Sequence, residues 1–198
     1  MEYYIVKYIG HFGFIKPWTA VRDGETFSQQ FLTQSTIEGM EKKLFPELFK
    51  IKGIHKIRRY RLAFDGMSRQ MEVIQAADFE LKSIKGEKKI KSASRKTGIL
   101  FRNILQNPVL YLAFDKKEDA IIAAEQHLCL CRNEDLIYPE EDILKVSETD
   151  FDEITGFELR FGEHQSGAFL VGYNRFAEAV PMYGSLDITG DASQYKDQ

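Results

Sequence analysis

Lysine and arginine are concentrated in the middle of this chain. Residues 50–102 hold 15 of its 27 Lys and Arg residues and only 5 acidic residues, a local charge of +10 inside a formal net charge of −3. A cluster of cations binds polyanions, and a nucleic-acid backbone is the commonest of these, because each neutralised phosphate releases counterions. The alternative is a charged hairpin whose side chains only keep the chain soluble. Phosphate contact is therefore the first chemistry that these residue types indicate.

Two groups of residues are candidates for contact with a nucleic acid such as RNA. Arginine and lysine position a phosphate backbone without reading its sequence. In the basic segment the candidates are Arg58, Arg59, Arg61, Arg69, Lys88, Lys89, Lys91, Arg95 and Lys96. Nearer the N-terminus, in an aromatic loop and at the start of a predicted helix, they are Lys16, Trp18, Arg22, Gln29, Gln30 and Ser35. The aromatic residues of that loop, Phe12, Phe14 and Trp18, either stack unpaired bases or form a small core beneath the loop.

His11, His55, Lys56 and Tyr60 are the candidates for a different chemistry, the cleavage of RNA without a metal. Such cleavage uses His, Tyr and Lys as general acid, general base and stabiliser of charge. Side chains alternate between the two faces of a strand, so Lys56 and Tyr60 would lie on one face and His55 on the other. The spacing therefore does not favour an enzyme, and a metal-independent endoribonuclease is the alternative.

No motif in the sequence indicates a cofactor or a metal. A phosphate-binding P-loop, a dinucleotide fingerprint, a zinc-ligand set and a Ser-His-Asp constellation are all absent from it. Cys129 and Cys131 have only His127 nearby as a further soft ligand, and we expect both to be buried, reduced thiols. No apolar run has the length of a membrane span and the first residues do not resemble a signal peptide. We expect a cytoplasmic protein with no cofactor, no membrane partner and no small-molecule substrate.

Strands and helices alternate along the part of the chain that must position these residues. The predicted elements are, in order, a strand over 2–9, an amphipathic helix over 35–45 capped by Ser35, a strand over 57–64 with a basic face, an extended charged arm over 66–97, strands over 99–105 and 109–114, a helix from Asp115 to about 127, and a strand near Cys129 or Ile143. This order predicts an α+β fold, a ferredoxin-like (RRM-like) βαββαβ core with a basic β-thumb insertion and extra C-terminal strands.

The last part of the chain has the opposite charge. From Asp115 onward, 7 basic residues accompany 19 acidic ones, for a net charge of −12. The predicted segments there are short strands at 157–161, 168–173 and 178–182, and a polar tail that frays at about 185–198. We expect a single domain over 1–198, with the thumb at about 55–98. A charge-driven protein-interaction module without RNA is a third hypothesis, in which the basic middle binds the acidic part of a neighbour.

Two stretches of this sequence resemble the CRISPR-associated Cas-five family of the RAMP superfamily. Residues 14–17 lead into TFSQQFLTQSTIEGM at 26–40, which is similar to the family's N-terminal signature of an aromatic, proline-containing loop, a Phe-Ser segment and a helix that opens with Ser-Thr and Gly-Met. LCRNEDL at 130–136 is similar to a segment late in the family's ferredoxin-like part. The positions that depart from the pattern are Gln34, Cys131 and Asn133, where proline, glycine and serine are usual.

The resemblance implies a crRNA-binding subunit of a type I CRISPR surveillance complex, Cascade, in antiviral defence. Such a subunit caps the 5′ handle of the guide RNA, and its thumb lies between the second and third strands, where this chain has its basic segment. The implied partners are the guide RNA, the backbone subunit and the large subunit. Members that cleave RNA have a tyrosine at the end of the first helix, where this chain has Phe45. The resemblance therefore also implies a subunit that does not cut RNA.

Overall fold

Strands predominate over helices in the computed structural model, which describes residues 1–17, 24–83, 90–162, 166–174 and 178–195, with the backbone alone for 75–83, 90–96 and 174. The strands in these ranges are β1 (Glu2–Gly10), β2 (Phe12–Gly13), β3 (Glu25–Phe27), β4 (Ile57–Ala63), β5 (Gly66–Ser83), β6 (Ile90–Gln106), β7 (Val109–Phe114), β8 (Leu128–Cys129), β9 (Leu136–Ser147), β10 (Gly156–Phe161), β11 (Phe169–Asn174) and β12 (Val180–Thr189). The helices are α1 (Gln34–Leu44), α2 (Lys117–Ala124) and α3 (Glu148–Asp152), and a 3₁₀ turn spans Pro46–Leu48. No helix among the described residues is long and apolar enough to cross a membrane.

Four strands form the centre of the larger sheet, in the spatial order β4-β7-β1-β9. Each is antiparallel to its neighbours. In chain order they are the second, third, first and fourth strands of a βαββαβ unit, with α1 after the first and α2 after the third. This is the ferredoxin-like topology, so the predicted α+β fold class is confirmed. The extra strands extend the sheet, with β8 beyond β9 and the three strands β10, β12 and β11 beyond β4.

The main core lies between the two longer helices and one face of the sheet. Ile37, Met40 and Leu44 follow one stripe of α1 at helical spacing, and each is at most 5% exposed. Ala120 and Ala123 of α2 are fully buried in the same core. The small alanine side chains allow α2 to lie close to the sheet. Both helices thus pack on one face of the sheet, and the C-terminal part of the chain covers the other face.

The opposite face of the sheet is covered by α3 and by the end of the chain. Phe151 of α3 is fully buried and packs edge-on against Tyr3, with ring centroids 5.8 Å apart. Beyond β12, Tyr195 packs against the same cluster with its hydroxyl 3.1 Å from that of Tyr111, and its backbone N–H donates to the carbonyl of Phe64. The predicted frayed tail is therefore wrong over 185–195, because β12 continues to Thr189 and the residues after it bind back to the sheet.

Both central helices begin one or two residues from their predicted starts. The cap of α1 is Thr33, whose hydroxyl accepts the N–H of Thr36, and Ser35 only hydrogen-bonds to the Thr33 hydroxyl. Lys116 precedes α2 without a side-chain cap, because Asp115 forms an ion pair with Arg58 of β4. A tertiary contact thus replaces the local cap that the sequence predicts at Asp115.

A long hairpin leaves the fold between the second and third strands of the ferredoxin-like unit. Its two strands are β5 and β6, which confirms the predicted thumb insertion. The hairpin spans 66–106, whereas the prediction was about 55–98. The boundary differs because β4 pairs with β7 along its length and so belongs to the central sheet.

Candidate nucleic-acid interface

The β5–β6 hairpin carries a net positive charge. It is paired from Gly66 opposite Gln106 to Ser83 opposite Ile90. Residues 66–106 include nine Lys or Arg and four Asp or Glu, a net charge of +5. At its base, β3 pairs in parallel with β6 and β2 pairs antiparallel with it, so a small four-stranded sheet braces the hairpin against the rest of the protein. The hairpin therefore has a fixed root and a charge suited to an anionic strand.

An arginine lies on an aromatic ring on one face of the hairpin base. The guanidinium carbon of Arg69 is 3.7 Å from the centre of the Phe101 ring. Arg69 Nε is 3.1 Å from Glu25 Oε1, and the Arg69 side chain is 55% exposed. Phe27 and Met71, beside this pair, are 59% and 64% exposed. This face thus presents aromatic, aliphatic and guanidinium surface to solvent, and the carboxylate of Glu25 compensates the charge of Arg69.

The other face of the hairpin base is buried. Phe14 is 2% exposed, with the guanidinium carbons of Arg102 and Arg132 at 4.9 Å and 5.5 Å from its ring centre. Arg102 forms an ion pair with Glu72, and Arg132 donates to Asp135 at 2.6 Å. The hydrogen bond that Arg132 donates to Asp135 raises the pKa of Arg132. Phe14 therefore belongs to a core beneath the loop, and its ring has no free face for a base.

Arg59 and Arg61 of β4 are buried, in contrast to the predicted basic surface. Arg59 is 7% exposed and Arg61 is fully buried. Arg59 Nη2 donates to Glu158 at 2.6 Å, and Arg59 Nη1 is 2.7 Å from Asp152. Arg61 Nη2 donates to Asp187 at 2.8 Å. Burial opposes the charge of Arg59, but the hydrogen bonds and charges of Glu158 and Asp152 raise its pKa.

Carboxylates from α3, β10 and β12 neutralise this face of β4. Arg59 and Arg61 point toward the part of the chain that covers the sheet, not toward solvent. Both residues are therefore corrected from candidate phosphate ligands to members of a buried ion-pair network, and we leave them out of the proposed RNA surface.

Arg58 is the exposed arginine of β4. Its side chain is 49% exposed and pairs with Asp115. It lines a cavity of about 620 Å³ at the end of the sheet, together with Arg160 and the acidic residues Glu148 and Glu158. Because cations and carboxylates both line this cavity, its charge does not favour an anion as clearly as that of the hairpin does.

The candidates of the N-terminal loop and the first helix have different surroundings. Lys16, Gln30 and Ser35 are exposed. Gln29 is 9% exposed, and its side-chain amide donates to the carbonyl of Phe31. Gln29 thus stabilises the segment before α1 and has no free surface for RNA, whereas the other three side chains reach solvent.

Some predicted RNA contacts lie outside the described residues. These are Trp18, Arg22, Lys88 and Lys89, together with the side chains of Lys91, Arg95 and Lys96. For the last three, the backbone belongs to the outer part of β6. Their role in RNA binding stays a prediction from the sequence.

Three of the four candidate residues for RNA cleavage are engaged in structural contacts. Tyr60 is 2% exposed, and burial raises its pKa. Its hydroxyl group donates a hydrogen bond to the carbonyl of Leu32 and accepts one from the N–H of Leu159. Lys56 pairs with two carboxylates at 2.9 Å, and ring nitrogen Nε2 of His55 is 2.9 Å from the carbonyl of Lys52. The Tyr60 hydroxyl is thus not placed to reach a phosphodiester. His11 is exposed.

The described residues contain no group of three or more His, Cys, Asp or Glu side chains that could hold a metal ion. The prediction of buried cysteines is wrong, because Cys131 is exposed and Cys129 is half-buried. Leu128 and Leu130 fill the core from this segment, and the alternation that buries them directs both thiols outward.

Sequence reasoning missed the residues that form the exposed face of the hairpin base. Glu25 and Phe101 stand in no motif, Phe27 stands only in the Phe-Ser segment of the stretch 26–40, and the sequence predicts Arg69 simply as a phosphate ligand. The signal that could have found them is the strand register, in which Met71 is opposite Phe101 and Phe101 is opposite Glu25. That register depends on pairing between distant strands and cannot be read from spacing alone.

The topology defines an α+β protein with a ferredoxin-like sheet and a basic hairpin inserted between its second and third strands. No protein-family model matches the sequence, and no curated protein matches it. One solved structure with a similar chain is described as a "CRISPR RNA-guided surveillance complex". The identity is 12% and the TM-score is 0.48, over 94% of this chain and 88% of that chain. A likeness of this degree carries no argument about what this protein binds.

Proposed function

We propose that this protein is an RNA-binding subunit of a type I CRISPR surveillance complex, similar to the Cas-five family, that caps the 5′ handle of the guide RNA. The observation that carries the proposal is the hairpin, with its net charge of +5 and its place between the second and third strands of a ferredoxin-like sheet. The motifs at 14–40 and 130–136 support it from the sequence. In this proposal the protein binds RNA without cutting it.

The basic hairpin and the acidic part of the chain from Asp115 onward should bind different partners. The basic hairpin attracts the phosphate backbone of the guide RNA, because counterion release strengthens each contact. The acidic part from Asp115 onward repels RNA, which leaves its surface for protein contacts. We propose that the backbone subunit and the large subunit of the complex are these protein partners.

The first experiment is co-purification. The protein is expressed with the other subunits of its complex and with a CRISPR array, and the RNA that accompanies it is sequenced. We expect guide RNA whose 5′ handle is protected from nuclease when this chain is present and exposed when it is omitted. Recovery of a complex without RNA, or equal protection in both samples, would contradict the proposal.

The second experiment measures the dependence of RNA affinity on salt. Reversal of Arg95 and Lys96 to glutamate removes two cations from the outer part of β6. The slope of log K against log salt is negative, and each lost phosphate contact on single-stranded RNA should make it less negative by about 0.7. The expected change for two contacts is therefore about 1.4. The matched control reverses Lys116 and Lys117, two exposed residues at the start of α2. Equal changes in both variants would show that overall charge, and not the hairpin, attracts the RNA.

A further inference from the structure

One exposed surface at the base of the hairpin has the chemistry of a site for a nucleobase. We call it the stacking face; its residues are Glu25, Phe27, Arg69, Met71 and Phe101. The strand register places them on one side of the small sheet, since Met71 is opposite Phe101, Glu25 is opposite Phe101, and Arg69 and Phe27 are both opposite Asn103. Phe27, Arg69 and Met71 are each more than half exposed.

The guanidinium group of Arg69 is held in place from two sides. It lies 3.7 Å from the Phe101 ring centre, and its Nε is 3.1 Å from Glu25. The carboxylate compensates its charge, which weakens its attraction for a phosphate. Its planar surface remains, and the 55% exposure of the side chain leaves that surface open to solvent. Guanidinium planes and aromatic rings are the groups on which proteins stack unpaired bases.

Glu25 adds a second property to the stacking face. Asn103 Nδ2 donates to Glu25 Oε1 at 3.0 Å, and Arg69 contacts the same oxygen. Among the described residues, Oε2 has no hydrogen-bond partner. A carboxylate oxygen accepts a hydrogen bond from an exocyclic amino group of a base and repels a phosphate.

We propose that the stacking face binds one unpaired base of single-stranded RNA, which lies on Arg69 and beside Phe27 and donates its amino group to Glu25. The site therefore favours cytosine over uracil, since uracil has no amino group. This inference rests on the proposed RNA-binding function and adds the part of the RNA that is contacted: Arg69 meets a base, not a phosphate. The net charge of +5 on the hairpin brings the strand to this surface.

The substitution Arg69→Lys separates the two roles of this arginine. Lysine keeps the positive charge and loses the planar surface. Binding of a fluorescein-labelled 12-nucleotide cytidine RNA is measured by anisotropy at several salt concentrations. Because loss of one stacked base weakens binding by about fivefold to a hundredfold, we expect R69K to lower the affinity at least about fivefold without a change of salt slope. The control is Arg160→Lys, a half-buried arginine of β10 in the acidic part of the chain, which should leave binding unchanged.

The substitution Phe27→Ala tests the aromatic side of the site. We expect it to lower the affinity with an unchanged salt slope, since it removes no charge. Phe49→Ala is the matched control, because Phe49 is 74% exposed and lies in the loop after α1, away from the hairpin. The same assay with a uridine 12-mer should show weaker binding than the cytidine 12-mer, and the difference should shrink in F27A and R69K.

The results distinguish a failure of the stacking face from a failure of the proposed RNA-binding function. Wild-type affinity in R69K and F27A, or equal affinity for cytidine and uridine, overturns the stacking face and leaves RNA binding by the hairpin intact. A fall in affinity in R69A together with wild-type affinity in R69K would make Arg69 a phosphate ligand, which also overturns it. Failure of the wild-type protein to bind either oligomer overturns both this inference and the proposed function.

Discussion

Replacing Glu158 with glutamine should destabilise the protein by removing a charge from the buried network of β4. The side chains of Arg59 and Glu158 are 6% and 5% exposed, and their closest atoms are 2.6 Å apart. Removal of one partner of a buried ion pair costs about 3–5 kcal/mol, because the other charge is left in a medium of low dielectric constant. Asp152 and Asp187 still face the two arginines, so we expect the lower end, about 3 kcal/mol.

Urea denaturation followed by circular dichroism measures this loss. With a slope of about 2 kcal/mol per molar urea, a loss of about 3 kcal/mol lowers the unfolding midpoint by about 1.5 M. The surface pair of Arg58 and Asp115 supplies the control. Both of its side chains are at least 36% exposed, so D115N should lower the free energy of unfolding by less than about 1 kcal/mol.

The double variant R59M/E158M separates charge from packing. Apolar residues of similar size remove the uncompensated charge, and such replacements are often close to neutral. We expect the double variant to recover at least half of the stability that E158Q loses, and to bind RNA like the wild-type protein. A midpoint shift below about 0.5 M in E158Q would refute the account of the network. A stable double variant that no longer binds RNA would restore Arg59 as an RNA ligand.

Three further outcomes follow from other parts of the structure. Glu41 is fully buried and accepts the backbone N–H groups of residues 55–57, so E41Q should lower the free energy of unfolding by about 2 kcal/mol in the same urea assay. Burial would raise the pKa of Asp152, but its ion pair with Arg59 lowers it below the usual value. The stability that this pair contributes is therefore complete above the unfolded pKa of about 4 and is lost as the pH falls through the lower folded pKa. D152N should abolish this pH dependence of the free energy of unfolding in an acid titration. CRISPR repeat RNA incubated with the protein in a chelator should stay intact, and a discrete cut that disappears in His55→Ala would establish the nuclease alternative.

Light scattering at low salt measures particle size and tests the third hypothesis, in which copies of this protein associate through their opposite charges. Complementary charges of +10 and −12 would produce head-to-tail growth that increases with protein concentration. We expect a monomer under these conditions. Growth of the particles together with absence of RNA binding would favour the third hypothesis over the proposed function.

Local patterns were sufficient to predict the order of the elements. Residues 109–114 are an unbroken apolar run and become the buried strand β7, and the alternation at 57–64 becomes β4. The stripe of Ile37, Met40 and Leu44 becomes the buried side of α1. Hydrophobic period and turn residues are properties of neighbouring positions, so the sequence alone determined the ferredoxin-like order and the place of the basic insertion within it.

The tertiary structure decided which cations are buried and which are exposed. Arg59 and Arg69 look alike in the sequence, yet Arg59 is neutralised by Glu158, 99 residues away, and buried, while Arg69 lies exposed on Phe101. The difference depends on which distant strand lies beside each arginine and in what register. An electrostatic interaction acts through space and not along the chain, so the sequence determined the charge of this protein, and only the fold determined which of its cations are buried in ion pairs and which reach the surface.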